Sequence, residues 1–115
     1  MTIGEIANVI SADVVCGEDF LTREVPGAFG SDMMSEVFAF ANDQSLLITG
    51  LCNSQVIRTA EMMDMTCICF VRGKMPDDEM IKLAKERNMV ILATKKRMFD
   101  TCGLLYEIGL RGGGK

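Results

Sequence analysis

The sequence contains no histidine. Histidine is the commonest general base near neutral pH and the commonest metal ligand, so its absence also removes Ser-His and Cys-His nucleophile pairs. The cysteines form no C-x-x-C motif, so the usual zinc and redox signatures are missing. Neither G-x-G-x-x-G nor the full Walker A sequence G-x-x-x-x-G-K-S/T occurs. The sequence therefore predicts no catalytic residue, no metal site and no cofactor, and we expect a protein that is not an enzyme.

Long apolar runs are missing as well. No stretch approaches the roughly eighteen uninterrupted apolar residues of a membrane span. The N-terminus (M-T-I-G-E-I-A-N-V-I) lacks the basic region of a signal peptide. Five cysteines, an odd number without framework-like spacing, argue against a secreted disulfide scaffold. We therefore expect a cytoplasmic protein without a membrane partner, and the net charge of −4 argues against nucleic acid.

What is present indicates one globular domain. The chain has 115 residues, of which 49% are hydrophobic, so it is long and apolar enough to build a core. We expect the domain to cover residues 1–110 and the Gly-rich residues 111–115 to form a flexible tail.

A strand–helix–strand unit at Ser45–Gly73 organises the rest of the chain. Two apolar runs, Ser45–Thr49 and Thr66–Val71, flank a segment with helical spacing, Asn53–Met65. An amphipathic helix between two apolar strands predicts a parallel crossover unit, with Asn53 as the helix cap. Cys67 and Cys69 are two residues apart in the second strand, and we expect both to be core residues.

Other elements follow from similar patterns. Strands are predicted at Asp13–Cys16 and Val90–Ala93, and an extended segment at Arg23–Phe29 in which Pro26-Gly27 breaks the ladder or makes an edge. The predicted helices are Thr2–Ile10 with a capping box of Thr2 and Glu5, Met33–Ala41 capped by Ser31 and ended by Asn42-Asp43, one from Pro76 to Asn88, and Met98–Ile108, interrupted at Gly103. Thr94 is the candidate cap of the last helix. Its expected packing face consists of Phe99, Cys102, Leu105 and Tyr106. The alternation predicts an α/β fold: a single three-layer domain with a mostly parallel sheet of about five strands and helices on both faces.

Parallel strands gather their carboxyl ends at one edge, where ligands bind in such sheets. Helix N-termini open there, and basic side chains add positive charge to an acidic chain, so the edge is a candidate site for a phosphate, carboxylate or nucleotide ligand. Ordinary turn chemistry is the alternative explanation. The candidate residues are Gly50, Cys52, Asn53, Arg72, Gly73, Lys74, Thr94 and Lys95.

Three further features have two interpretations each. Cys52 lies near a helix N-terminus, where thiolates are favoured, but it has no histidine to activate it. The methionine pairs Met33-Met34 and Met62-Met63 fill the core or mark a dimer interface, because neighbours in a helix cannot share one face. The acidic residues Asp32, Asp43, Asp77, Asp78 and Glu79 are interpreted as helix-end carboxylates rather than acid–base pairs.

The whole pattern resembles the DRTGG domain, a small α/β module similar to the N-terminal domain of HPr kinase/phosphatase. The segments T-R-E-V-P-G-A-F-G-S-D-M-M, S-L-L-I-T-G, F-V-R-G-K-M-P-D-D-E-M and V-I-L-A-T carry the resemblance. The family's Gly-Asp-Arg-like turn is here Gly50-Leu51-Cys52-Asn53, without the Asp and Arg. Its Thr-Gly-Gly-like turn is here Val71-Arg72-Gly73, with only the last glycine.

The resemblance implies a regulatory or accessory module. Such domains occur beside phosphotransacetylase domains and in CBS-domain pyrophosphatases, usually as dimers, and stand-alone members accompany hydrogenase systems. The first hypothesis is therefore a homodimeric binding module that senses a small anionic or nucleotide ligand or docks on a partner enzyme. The alternatives are a structural accessory subunit of a redox or hydrogenase-type system, and an enzyme using a lysine or cysteine at the same edge.

Overall fold

The computed structural model describes residues 1–41 and 45–112. The predicted helix end at Asn42-Asp43 and the last three residues of the predicted tail lie outside the described residues. The helices are α1 (Ile3–Val9), α2 (Met34–Phe40), α3 (Ser54–Met62), α4 (Asp78–Glu86) and α5 (Met98–Glu107), with a short 3-10 turn at Glu18–Phe20. The strands are β1 (Asp13–Cys16), β2 (Ala28–Gly30), β3 (Leu46–Thr49), β4 (Cys67–Phe70) and β5 (Val90–Ala93).

The strands form one sheet in the order β1-β5-β4-β3-β2. β2, β3, β4 and β5 run parallel, and only β1 is antiparallel, against β5. Leu46 pairs with Cys67 and Thr49 pairs with Phe70, so the two strands of the predicted crossover unit are parallel and in register. The mostly parallel five-stranded sheet predicted from the sequence is confirmed.

Alternate strand residues pack on opposite faces of the sheet. Leu46 and Ile48 pack with buried residues of α1 and α5, whereas Leu47 packs with buried residues of α2, α3 and α4. This alternation follows from the two-residue period of a strand. Every residue of β3, β4 and β5 is buried, as expected for strands covered by helices on both sides. The three-layer α/β fold is therefore confirmed.

Several predicted ends are confirmed. Thr2 and Glu5 form a reciprocal capping box at the start of α1, and the Asn53 side chain accepts a hydrogen bond from the Val56 backbone N–H at the start of α3. Asn88 has the left-handed backbone that lets it end a helix. At the other edge of the sheet, β2 contains only Ala28–Gly30, so the interpretation in which Pro26-Gly27 breaks the ladder is correct.

Other predicted ends are wrong. Ser31 does not cap α2: Met33 holds that position, and the Ser31 hydroxyl accepts a hydrogen bond from the Met33 N–H at 3.0 Å. Pro76 lies before α4 rather than in its first turn, because Asp77 is the cap. Thr94 does not cap α5: Arg97 holds that position, and the buried Thr94 hydroxyl donates to the Ile10 carbonyl and accepts from the Lys96 N–H.

The last helix differs from its prediction in two ways. It continues through Gly103 without interruption. Its buried side chains are Thr101 and Leu105, one turn apart, while Phe99 is 86% exposed and Tyr106 is 60% exposed. The apolar face that we expected to pack is therefore partly exposed. The reason is that α5 packs against the sheet through Thr101 and Leu105, which are four residues apart and lie on one face of the helix.

The described part of the chain contains no helix long and apolar enough to cross a membrane. Within the same residues, no cluster of three or more histidine, cysteine or acidic side chains could hold a metal ion. Cys67 and Cys69 are fully buried, as predicted. Burial raises the pKa of Cys69 to about 12, which keeps it a thiol at neutral pH.

Two glycines provide a matched test of the fold. We expect Gly17→Ala to lower the free energy of unfolding by about 2 to 4 kcal/mol, through left-handed strain and overpacking. Gly17 has a φ of +89°, and an added Cβ would lie 2.8 Å from the Cα and Cγ2 of Val90. Gly103→Ala should raise the free energy of unfolding by about 0.5 to 1 kcal/mol, since it improves helix propensity.

Urea unfolding followed by circular dichroism measures both values. Gly103→Ala serves as the control, because an added Cβ at Gly103 meets nothing within 4 Å. Equal stability of the two variants would contradict the packing of Gly17 against β5.

Candidate functional site

The carboxyl ends of β3, β4 and β5 meet at one edge of the sheet. The turn after β4 is hydrogen-bonded to the turn after β5: the Arg72 N–H donates to the Lys96 carbonyl at 2.8 Å, and the Gly73 N–H donates to the Thr94 carbonyl at 3.0 Å. Arg72 adopts a left-handed backbone with a φ of +63°. These bonds hold the turn in that sparsely populated conformation and fix the relative positions of the two loops.

A cleft of about 490 Å³ opens beside the end of β5. It is lined by Ser11, Asp13, Gly73, Met75, Ala93, Thr94, Lys95 and Lys96; we call it the lysine cleft. Three predicted site residues, Gly73, Thr94 and Lys95, lie together here.

The wall formed by Ser11 and Asp13 was missed by sequence reasoning. Asp13 pairs with Ala93 across the antiparallel β1–β5 ladder, which brings the end of α1 to the carboxyl end of β5. Nothing in the local sequence signals this pairing, because it joins residues about eighty positions apart and reverses the direction of the sheet at its edge.

Thr94 shapes the lysine cleft rather than offering a free hydroxyl. Its side chain is 2% exposed. The hydroxyl donates to the Ile10 carbonyl at 2.8 Å and accepts from the Lys96 backbone N–H at 3.2 Å. Because its one proton is used in this way, Thr94 links the end of α1 to the turn that contains Lys95 and Lys96.

Within the described residues, the charged side chains of the lysine cleft form no ion pair. Lys95 is exposed and Lys96 is half-buried. Ion pairs in residues 1–41 and 45–112 join the Met1 amino group to Glu24, Arg72 to Asp32, and Arg87 to Glu61, and none involves Lys95, Lys96 or Asp13. Both ammonium groups are therefore available to an incoming anion.

The end of β3 is arranged differently, around Asp32. One carboxylate oxygen of Asp32 accepts from the Gly50 N–H at 2.7 Å and from the Thr49 hydroxyl at 3.3 Å. The other accepts from the Arg72 guanidinium at 3.4 Å. We predicted Asp32 to be a helix-end carboxylate, and the structure corrects this: it binds the end of β3 and neutralises Arg72.

Arg72 lies directly over Gly50. A Cβ at residue 50 would lie 2.5 to 2.7 Å from the guanidinium, so only glycine permits this approach. The guanidinium also donates to the Gly50 carbonyl at 3.4 Å. Arg72 and Gly50, both predicted site residues, are thus in contact, and Asp32 already binds the Gly50 N–H and one nitrogen of the guanidinium.

The remaining predicted residues lie at the start of α3 and after β4. Asn53 uses its side-chain oxygen to cap α3, and Lys74 is exposed. Burial raises the pKa of the Cys52 thiol, and the nearby Asp77 carboxylate raises it further. Of the two interpretations of Cys52, the reactive thiolate at this helix N-terminus is therefore disfavoured.

Helix N-termini at this edge are not equally open. Side-chain oxygens of Asn53 and Asp77 accept hydrogen bonds from the first turns of α3 and α4. The cap residue of α5, Arg97, makes no such side-chain bond. Positive potential is therefore already compensated near β3 and β4, and persists near β5 beside the lysine cleft.

Removing the Asp32 carboxylate should weaken the fold in a pH-dependent way. The pKa of Asp32 lies below its ordinary value of 3.8, mainly because the Gly50 N–H bonds the carboxylate, with Arg72 and Thr49 contributing. A lowered folded-state pKa stabilises the fold above the unfolded pKa, and this contribution is lost as pH falls through the folded value. We expect Asp32→Ala to cost about 1 kcal/mol at pH 7, a small value because the site is half exposed.

Urea unfolding at pH 7 and below pH 3.8 measures this difference, which should shrink at the lower pH. Asp19→Ala removes an exposed carboxylate from the 3-10 turn and serves as the control. A difference between wild type and Asp32→Ala that does not change with pH would exclude the proposed charge effect.

Comparison with known proteins supports this architecture. None of the curated proteins matches the chain. A similar solved structure is that of the CBS and DRTGG domains of the regulatory region of Clostridium perfringens pyrophosphatase, complexed with its activator, diadenosine tetraphosphate. It is 19% identical, with a TM-score of 0.73. The match covers 90% of this chain and 45% of that one, so this chain spans less than half the length of that structure.

The sequence itself matches the DRTGG domain over residues 5–108, nearly its whole length. The resemblance predicted from the strand and turn segments is confirmed. The chain belongs to the DRTGG domain family.

Proposed function

We propose that the chain is a regulatory binding module without catalysis of its own, which senses a small anionic or nucleotide ligand at the lysine cleft. The observation that carries the proposal is the pair of cations Lys95 and Lys96, which form no ion pair in the described part of the chain, beside a preformed cleft. Its volume of about 490 Å³ falls within the range of small-molecule sites.

The difference in charge between the β3 half and the β5 half of the edge supports a ligand site at the lysine cleft. Arg72 is neutralised by Asp32, and the Gly50 N–H is already bonded. No carboxylate among residues 1–41 and 45–112 pairs with Lys95 or Lys96 in this way, in a chain whose net charge is −4. An anion that approaches this edge therefore gains most beside β5.

Comparison with the pyrophosphatase supports a regulatory role. The matching structure is part of the regulatory region of that enzyme and was solved with a nucleotide activator. By analogy, we propose that the present chain docks on a partner enzyme and transmits the occupancy of its cleft. We further propose that it works in the cytoplasm, without nucleic-acid or membrane partners.

The cysteine chemistry supports binding rather than catalysis. Burial raises the pKa of Cys16, Cys52, Cys67 and Cys102, as it does that of Cys69, so none is a ready thiolate. The sequence also lacks histidine to activate a nucleophile. An enzyme that uses a lysine or cysteine at the same edge is therefore the less favoured alternative.

Neutralising one lysine should weaken anion binding. We expect Lys96→Gln to reduce the affinity for AMP about tenfold, corresponding to the loss of one charge-assisted hydrogen bond. Isothermal titration calorimetry measures the change, and raising the salt concentration should weaken wild-type binding. Lys82→Gln, at an exposed position of α4, is the matched control. Equal affinities of the two variants would place the ligand elsewhere.

Exposed apolar side chains support assembly as a homodimer, which we propose as a second property. On one side of the sheet, Met33, Phe38 and Phe40 of the α2 region are 58%, 44% and 68% exposed, and Met62 of α3 is 66% exposed. Met65 is buried, so the methionines divide between the core and the surface. Exposed aromatic and methionine side chains are typical of interfaces.

The dimer proposal has a direct test. Analytical ultracentrifugation should give a dimer for wild type and a shift toward monomer for Phe40→Ser. Phe99→Ser, on α5 at the opposite side of the sheet, is the control and should remain dimeric. A monomeric wild type would end this proposal and leave the structural-subunit alternative to be tested by co-purification from the native host.

A further inference from the structure

The lysine cleft carries a carboxylate as well as cations. Asp13 is exposed at the start of β1 and lines the same cleft as Lys95 and Lys96. In the described part of the chain, Asp13 has no hydrogen bond or ion pair with either lysine. The cleft is therefore lined by charges of both signs that are not paired with each other within the described residues.

Backbone and side-chain bonds hold the two walls in place. The Thr94 hydroxyl donates to the Ile10 carbonyl at 2.8 Å, which ties the turn that contains Lys95 and Lys96 to the end of α1. The Ala12 N–H donates to the Ala7 carbonyl at 2.8 Å, and Asp13 pairs with Ala93 in the sheet. The backbone of Asp13 and the backbone of the turn that contains Lys95 and Lys96 therefore have fixed relative positions, so a ligand meets a preformed cleft.

The charge arrangement restricts the ligand. A simple phosphate satisfies the lysines but is repelled by Asp13. If a ligand has hydrogen-bond donors at some distance from its phosphate, the Asp13 carboxylate can accept those hydrogen bonds and so favours binding. Ribose hydroxyls are such donors, and carboxylates bind them in other α/β folds.

The mouth of the cleft adds an apolar surface. Met75 lines the cleft and is 60% exposed. A flexible, polarisable thioether makes favourable contacts with flat aromatic groups such as a nucleobase. A nucleoside phosphate offers its phosphate to the lysines, its ribose to Asp13 and its base to Met75. A sugar phosphate lacks the base and so matches only the lysines and Asp13.

Building on the proposed anion site, we infer that the lysine cleft takes a nucleoside phosphate with free ribose hydroxyls. Lys95 and Lys96 bind its phosphate, Asp13 accepts hydrogen bonds from its ribose, and Met75 contacts its base. Asp13 is thus the specificity-determining residue of the site.

Calorimetry that compares two ligands on wild type and on single variants tests this assignment. Wild type should bind AMP at least about tenfold tighter than 2′,3′-dideoxy-AMP, as expected for hydrogen bonds to a charged acceptor. Asp13→Ala should bind the two within about twofold of each other, because the partner of the ribose hydroxyls is gone. Lys96→Gln should weaken both ligands by the same factor. Asp19→Ala, another exposed carboxylate, should behave as wild type.

The outcomes separate this inference from the proposed function. Equal wild-type affinity for AMP and 2′,3′-dideoxy-AMP, with Lys96 still required, overturns the ribose assignment and leaves the anion site intact. Ribose 5-phosphate binding as tightly as AMP overturns the assignment of the base. AMP binding that does not depend on Lys96 overturns the proposed function itself. Asp13 is exposed, so far-UV circular dichroism should confirm that its variant folds.

Discussion

The hydrogen bonds between β3, β4 and β5 are the constraint on which the rest of the structure depends. The three strands are parallel and in register, so Thr49, Phe70 and Ala93 end at one edge. Their side chains are buried on both faces, and a slip of one residue would exchange the two cores. Because the register is fixed in this way, the loops that follow the strands must share an edge, and the candidate site follows from that geometry.

The same edge distributes its charges unequally. Near β3, Asp32 bonds the Gly50 N–H and pairs with Arg72, so donors and cation are satisfied within the protein. Near β5, the buried Thr94 hydroxyl uses its hydrogen bonds to hold the turn that carries Lys95 and Lys96. One half of the edge therefore stabilises the fold, and the other half leaves its charge available.

Two sides of the sheet also differ in what they expose. The α2 region presents Met33, Phe38 and Phe40 to solvent, and α5 presents Phe99 and Tyr106. The guanidinium of Arg111 lies 3.7 Å from the centre of the Tyr106 ring and covers part of that side. Because Arg111 covers part of the α5 side, we propose the α2 side as the dimer surface and use the α5 side as the control.

Sequence patterns were enough to predict the α/β alternation, the buried strands, the caps at Thr2 and Asn53, and the family, because each depends on local spacing or on short segments. They also predicted that Gly73, Thr94 and Lys95 lie at one edge of the sheet, since residues that follow apolar runs fall at strand ends. They did not reveal Asp13, or the partnership of Asp32 with Gly50 and Arg72. Those contacts depend on the antiparallel pairing of β1 with β5 and on the approach of the loop before α2 to β3. Only the tertiary structure decides such contacts, because they join residues that are far apart in the chain and carry no shared local signal.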